Sequence, residues 1–369
     1  MKVLLVGNYE FDGATSMKVW AGALLRELEE RGIEARLVSP RPVFGRLRRS
    51  AGGLGKWLGY IDRFMIFPGR LRAAAQDADL VHICDHGSAL YTFALKGKPT
   101  VVTCHDMLAV RGAMGESVDC PATFFGRALQ RRICRGMSRA TRVACVSQYT
   151  LNDARRILNG AGNLRVVLNG LNYPFRPLDG TEIDRRLAGL PAISEPFVLH
   201  VGSNLVRKNR AGALRIFATA SEGTSLRMLF AGARLSPDLW QLAKKLRIEG
   251  RILEVEKPEV EVLEALYNRA VALLFPSRYE GFGWPPIEAQ ACGCPVVASN
   301  IAPLAEVLGR SAELRPVEDE AGMAEAIRRL ATDRGYHQEM RQRGLENVRS
   351  RFQISRMINE YVSLYRELA

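Results

Sequence analysis

The sequence predicts an α/β chain of two doubly wound parallel-sheet domains facing each other across a cleft. Three observations carry this expectation. Short apolar runs alternate with helix-length segments along all 369 residues, which is the rhythm of βαβ units. A composition of 47% hydrophobic and 25% charged residues is that of ordinary globular protein, and the length suits two domains that each bury a core. Between the halves lies a run of turn formers, Tyr173-Pro174-Phe175-Arg176-Pro177-Leu178-Asp179-Gly180, the best linker candidate.

In chain order, strands are expected at residues 3–6, 35–38, 80–83, 101–103, 143–146 and 166–168 of a first domain, 1–175. They are expected again at 197–201, 227–230, 251–253, 271–275 and 295–298 of a second domain, 176–352. These runs are short and apolar throughout, as strands covered on both faces are. The first is too short for a signal sequence or a membrane span, so the protein is expected in the cytosol. At the other end Ile354, Met357, Ile358, Tyr361, Leu364 and Tyr365 recur at helical spacing and form one apolar face over 353–369. Open sheets of this kind bind ligands at the carboxyl ends of their strands, which is where functional side chains are expected.

The strand at 271–275 leads directly into Ser277-Arg278-Tyr279-Glu280-Gly281-Phe282-Gly283-Trp284-Pro285-Pro286-Ile287-Glu288. Two carboxylates eight positions apart flank a glycine turn, and Pro285 and Pro286 suit the first turn of a helix, where a missing N–H costs nothing. Glu288 is thereby expected on the first helical turn, held in its charged form by the helix N-terminus and suited to gripping a ribose diol. Each such charge-assisted hydrogen bond contributes roughly 1.5–3 kcal/mol. Glu280 is placed to hold a sugar, and the amides of Gly281, Phe282 and Gly283 to receive a diphosphate. After the strand at 197–201, Gly202-Ser203-Asn204-Leu205-Val206-Arg207-Lys208-Asn209 brings two cations that suit the same diphosphate.

Charge is uneven. The net value is +13, and from Arg41 to Arg72 eight basic residues (Arg41, Arg46, Arg48, Arg49, Lys56, Arg63, Arg70, Arg72) face Asp62 alone, interleaved with Phe44, Trp57, Leu58, Tyr60 and Phe64. Arg127, Arg131, Arg135 and Arg139 recur every four residues beside Phe125, Leu129, Ile133 and Met137, an amphipathic helix with a basic stripe. The pattern reads either as a solvated face or as an attraction to anionic lipid headgroups or a phosphate-bearing acceptor. No nucleic-acid recognition motif accompanies it. Seven cysteines without a C-x-x-C pair indicate neither zinc nor disulfides.

The string over 277–296, S-x-Y-E-G-F-G-x-P-x-x-E-A-x-A-x-G-x-P-V, resembles the signature of the retaining glycosyltransferases with the E-x(7)-E motif, the glycosyl transferases of group 1. The resemblance implies a GT-B-like fold of two Rossmann-like domains and transfer from a nucleotide-sugar donor to a sugar or lipid-linked acceptor. It implies retention of configuration and no metal or other cofactor. V-G-x-x-x-x-R-K-N resembles the family's diphosphate loop, with Ser203 where many relatives carry arginine. Gly13 is the counterpart of its flexible glycine loop. Thr103-Cys104-His105-Asp106-Met107 resembles the family's H-D near the donor sugar, which sets His105 over the transferred group; the acceptor candidates are Asp106 and, at the end of the preceding strand, His86. Val146-Ser147-Gln148-Tyr149-Thr150 resembles a strand end and helix cap, and Leu168-Asn169-Gly170-Leu171-Asn172 the N-G-V-D turn, with Asn172 replacing the aspartate. The base of the nucleotide is expected near 251–254, and in relatives the last helix crosses back to the first domain.

The catalytic candidates are therefore His105, Glu280, Arg207 and Lys208. The donor-binding set is Gly13, Gly202, Ser203, Arg207, Lys208, Glu280, Gly281, Phe282, Gly283 and Glu288. Asp77-Ala78-Asp79 resembles a metal-binding D-x-D, yet it precedes a strand and so belongs at the end away from the ligand. His82, Cys84 and His86 would share one face only if a strand continued past Asp85, which Gly87 argues against. Two rivals stand beside transfer: a phosphorylase or epimerase on the same scaffold, and a non-catalytic relative that binds nucleotide sugar or an anionic surface. Both glutamates and both cations favour a transferase, cytoplasmic or peripheral on the inner face of the membrane.

Overall fold

The computed structural model describes residues 1–12, 15–47, 53–190, 193 and 195–369. Gly13, together with Arg48 and Arg49 of the basic cluster, lies outside the described residues, as does the side chain of Lys56. Contacts divide the chain into two compact units, Met1–Tyr173 with Ile354–Ala369, and Pro174–Gln353.

In the first unit β1 (Lys2–Val6), β2 (Glu34–Val38), β3 (Leu80–Ile83), β4 (Thr100–Cys104), β5 (Arg142–Cys145) and β6 (Leu164–Val166) form one parallel sheet. Its order is β2-β1-β3-β4-β5-β6. Every residue of β3 and β4 is buried, which is why these strands are apolar without alternation. Within this unit the last helix, Ile354–Arg366, buries Met357, Ile358, Tyr361, Val362, Leu364 and Tyr365. Tyr365 Oη lies 2.5 Å from His82 Nδ1, Thr103 Oγ1 lies 2.7 Å from His82 Nε2, and Tyr361 Oη is 2.9 Å from Thr103 Oγ1. His82 is thus a sealed structural residue, and burial pushes its pKa down to about 3.

The second unit contains β7 (Phe197–Gly202), β8 (Arg227–Gly232), β9 (Ile252–Glu256), β10 (Ala272–Phe275), β11 (Val296–Ser299) and β12 (Glu313–Arg315). All pairs are parallel, in the order β12-β11-β10-β7-β8-β9. Two six-stranded parallel sheets are what the alternation of apolar runs predicts.

Three details differ from the expectation. β6 begins two residues before the anticipated 166–168, because Val143 pairs with Leu164 and sets the register. β12 has no counterpart in the sequence reading: Glu313-Leu314-Arg315 carries no apolar run and is strand only because it pairs with β11 at the sheet edge. The units divide inside the expected linker, between Tyr173 and Pro174, but the rest of that segment is docked within the second unit, where Arg176 N–H donates to Glu264 Oε1 (2.9 Å) and Leu178 N–H to Asn268 Oδ1 (2.8 Å). Asp79 precedes β3 and accepts the Lys2 N–H at 2.7 Å, at the amino end of the sheet. No helix among the described residues is long and apolar enough to cross a membrane.

Candidate active site

Doubly wound sheets bind ligands outside the carboxyl ends of their strands, where the strand order reverses. In the second unit that point lies between β7 and β10, neighbours in the sheet although far apart in the chain. The loops after these two strands are residues 203–209 and 276–283, the two strings singled out in the sequence.

Each loop is held by the other. After one 3-10 turn, Val206–Lys208, the chain turns at Asn209 with φ 50°, a left-handed conformation that asparagine tolerates. The Asn209 side chain caps the helix Arg210–Ala220 by accepting Gly212 N–H at 3.2 Å and donates its own N–H to Pro276 O at 3.0 Å. Arg278 N–H donates to Arg207 O at 2.8 Å. Main chain and side chain together hold the two loops in one arrangement.

That arrangement brings the predicted cations onto the predicted carboxylate. Lys208 Nζ lies 2.6 Å from Glu280 Oε1, and an Arg207 guanidinium nitrogen 3.1 Å from Oε2. Glu280 and Lys208 are buried, and the ammonium also stands 4.8 Å from the Phe275 ring centroid. Burial pushes the Lys208 pKa down, and the Glu280 charge opposes that shift. The sequence reading assigned Glu280 to a sugar and the cations to a diphosphate as separate groups. Here one carboxylate bridges both.

Glu288 departs from expectation more sharply. In the helix Trp284–Ala291 it is the fifth residue, in the second turn rather than the first. It is buried, accepts the Tyr267 hydroxyl at 2.9 Å, and burial pushes its pKa up to about 7 against the opposing Tyr267 hydrogen bond and Lys208 charge. The dipole's influence falls off within the first turn, so desolvation outweighs it. Glu288 is therefore poised between donating and accepting near neutral pH.

The remaining donor residues divide by role. Gly283 has φ 105°, and a Cβ there would come within 2.5 Å of Leu304 Cδ2, so only glycine fits the turn. As the N-cap of the helix it precedes, Gly283 itself offers that helix no side-chain cap. Phe282 turns inward against Trp284 and Phe352, which leaves its backbone as the part that can meet a ligand. Gly202 ends β7 and its carbonyl accepts from Arg210 at 2.6 Å, while Ser203 and Gly281 are half-buried.

Sequence reasoning missed Tyr267, which no local pattern marks, and Arg210. Arg210 is buried, braces Gly202 O, Asn204 Oδ1 and Ala233 O, and stands 5.3 Å from the Phe230 ring centroid. The expected base region is also otherwise engaged: Arg251 donates to Ser221 O and Thr224 O, and Glu254 accepts Leu235 N–H.

In the first unit the order reverses between β1 and β3. Asn8, after β1, donates to Asp85 Oδ2 at 2.6 Å, and Asp85 accepts Gly87 N–H at 2.9 Å with His86 Nδ1 at 3.4 Å. Burial alone would raise Asp85, but His86, His105, Gly87 N–H and the Asn8 amide together hold it below the usual carboxylate range. Asp85 is a third residue that the sequence does not single out. His105 follows β4 with Nε2 2.9 Å from Cys84 O and its ring edge-on to Trp20, and burial lowers its pKa. Asp106 spends one oxygen on Leu108 N–H at the start of the helix Leu108–Ala113. His86 opens a 3-10 segment, His86–Ala94, so strand geometry ends at Ile83 and does not carry His82, Cys84 and His86 along one face.

Two six-stranded parallel sheets, the second with paired charged loops at its switch point, define a doubly wound α/β class. Residues 189–349 match the family model described as glycosyl transferases group 1, and residues 17–173 match glycosyltransferase family 4. D-inositol 3-phosphate glycosyltransferase 1 of Catenulispora acidiphila is 30% identical over 325 residues, 81% of this chain and 74% of that relative. O-antigen chain mannosyltransferase B of Escherichia coli is 28% identical over 229 residues, and this match spans only 60% of either chain. Among solved structures, Anabaena Alr3699/HepE in complex with UDP-glucose superposes with a TM-score of 0.74 at 17% identity, covering 99% of this chain and all of that one. The chain belongs to the glycosyl transferases group 1 family, and its fold is GT-B.

Proposed function

We propose that the protein is a retaining, metal-independent hexosyltransferase that moves a sugar from a nucleotide-sugar donor to a sugar or lipid-linked acceptor. The observation that carries this reading is the cluster of Arg207, Lys208 and Glu280 at the switch point of the second sheet, beside a helix start whose N-cap is a glycine. Arg207, Lys208 and the amides of 281–283 receive the diphosphate, Glu280 the donor sugar and Glu288 the ribose, with Gly13, Gly202 and Ser203 in the donor set. His105 is assigned to the transferred sugar, and His86 and Asp106 to the acceptor.

In this reaction the bond from the anomeric carbon to the phosphate oxygen breaks, and a bond forms from that carbon to the acceptor hydroxyl on the same face. The acceptor proton passes to a phosphate oxygen of the departing nucleoside diphosphate. Arg207 and Lys208 stabilise the charge that grows on that leaving group, the service a metal gives elsewhere. No side-chain nucleophile is required. A structural neighbour in complex with UDP-glucose supports the donor class. An O-antigen chain mannosyltransferase among the relatives supports a place in cell-envelope polysaccharide, lipopolysaccharide or glycolipid synthesis. Such acceptors place the enzyme in the cytoplasm or on the inner face of the membrane.

Isothermal titration across a panel of nucleotide sugars, then an assay of nucleoside diphosphate release with acceptor, tests the reading. One donor bound and turned over supports it. Binding without turnover, or no binding in the wild type, overturns it.

A further inference from the structure

In the first unit a cavity of about 620 Å³ opens between the helices Leu108–Ala113 and Phe124–Arg139. Its rim carries Arg127, Arg131 and Arg135, and its apolar wall includes Val110, Met114 and Ile157. Four-residue spacing stacks the three arginines on one helix face, and the 1.5 Å rise spreads them over roughly 12 Å.

Among the described residues these guanidiniums enter no ion pair, and Arg127 makes only a 3.4 Å hydrogen bond from Nε to Ala122 O. Arg111, Arg156, Arg186 and Arg215 all pair with carboxylates. Among the described residues no carboxylate lies within 4.0 Å of Arg127, Arg131 or Arg135, although all three are exposed. Gln130, which lines the same cavity, has a buried Oε1 without a hydrogen-bond partner. A buried acceptor left unsatisfied in a cavity wall calls for a donor, which a ligand in the cavity can supply.

The same helix begins with two aromatic rings in water. Phe124 is 79% exposed and Phe125 67%, and Phe125 meets Trp57, itself 53% exposed, edge-on at 5.8 Å. Phe124, Arg127, Arg131 and Arg135 fall at helical positions i, i+3, i+7 and i+11, so the ring and the charges share one face. A contiguous aromatic patch beside a one-sign stripe is the chemistry of a surface that meets anionic headgroups with its cations and the acyl boundary with its rings.

We propose that this cavity and the adjoining aromatic patch form a docking site for an anionic phospholipid surface. A headgroup phosphate sits between the arginines, Gln130 accepts from a headgroup hydroxyl, and Phe124, Phe125 and Trp57 enter the interface. The site is independent of the donor loops of the second unit, so it stands or falls apart from the transfer reaction.

The test uses the full chain and sedimentation with vesicles of phosphatidylcholine alone or mixed with phosphatidylglycerol. The wild type is expected in the pellet with the anionic vesicles only and is released by 0.5 M salt, where the Debye length falls to about 4 Å and exposed charges are screened. The triple variant Arg127→Gln/Arg131→Gln/Arg135→Gln is expected to partition roughly 100-fold more weakly, and Phe124→Ser/Phe125→Ser to lose binding with its charge intact. Equal recovery with neutral vesicles overturns the proposal, and so does wild-type partitioning by the triple variant. Titration with inorganic phosphate separates the two sources of the anion: phosphate binding at the arginines without vesicle binding assigns the cavity to a soluble phosphate and overturns the lipid surface. Unfolding midpoints of the variants and the salt release of the wild type keep the outcome readable if a variant folds poorly.

Discussion

Lys208 and Glu280, 72 residues apart in the chain, form a 2.6 Å ion pair in which both groups are buried. The pair exists because β7 and β10 are neighbours in the sheet, and it keeps a cation in a place where burial disfavours charge. Removing one partner should cost more than removing both. Glu280→Gln alone is expected to lose about 3–5 kcal/mol, since it strands the Lys208 ammonium, while Glu280→Gln/Lys208→Met should lose clearly less. Urea unfolding of the four members of this cycle measures the coupling, and additive losses would mean that the pair is not an energetic unit.

Glu288 makes stability depend on pH in a direction opposite to that of a salt-bridged carboxylate. Its pKa is about 7 in the fold against 4.5 for the free side chain. Between these values the unfolded chain has released the proton and the folded chain keeps it, so stability falls as pH rises and is constant above the window. The loss amounts to roughly 3 kcal/mol. Glu288→Gln should therefore be more stable than the wild type at pH 8 and little different at pH 4.5, as read from unfolding midpoints. Glu288→Ala should in addition weaken donor binding sharply, measured by titration calorimetry.

The His82, Thr103, Tyr361 and Tyr365 cluster ties the last helix to β3 and β4 within the first unit. Tyr365→Phe leaves His82 Nδ1 buried without its partner and should cost about 1–3 kcal/mol in urea unfolding. Donor affinity should not change. Because the folded pKa of His82 is depressed to about 3 from 6.5, the unfolded chain binds the proton first and stability should decline as pH falls through that interval.

Gly283→Ala places a methyl group 2.5 Å from Leu304 Cδ2 at φ 105°. A loss of about 1–3 kcal/mol is expected from backbone strain and overpacking together. Leu304→Ala in the same chain relieves the contact and not the backbone, so the double variant should remain below the Leu304→Ala variant in thermal unfolding.

Legibility in the sequence followed distance along the chain. The 277–288 and 202–209 strings were readable because each packs its chemistry into a dozen residues or fewer after one strand, and apolar runs marked most of the strands. Ser147 was readable as a helix cap for the same reason, and it does accept the Thr150 N–H at 3.0 Å. Tyr267 was not, because a tyrosine on a helix carries no sign that its hydroxyl will meet Glu288. Asp85 was passed over because its weight comes from Asn8, 77 residues earlier. The protonation of Glu288 was misjudged since the helix N-terminus is visible in sequence and burial is not. β12 escaped because an edge strand of three residues, none of them buried, is made by its neighbour.

The sequence by itself determined the alternation of strands and helices, the glycine turn before Trp284 and the residue types available to a nucleotide sugar, because these follow from local sterics and periodicity. Only the tertiary structure decided that Arg207 and Lys208 share Glu280, that Glu288 is desolvated onto Tyr267, and that the arginine stripe rims a cavity. Charges and hydrogen bonds act through space over a few ångström, and which side chains come that close is set by the order of strands in the sheets.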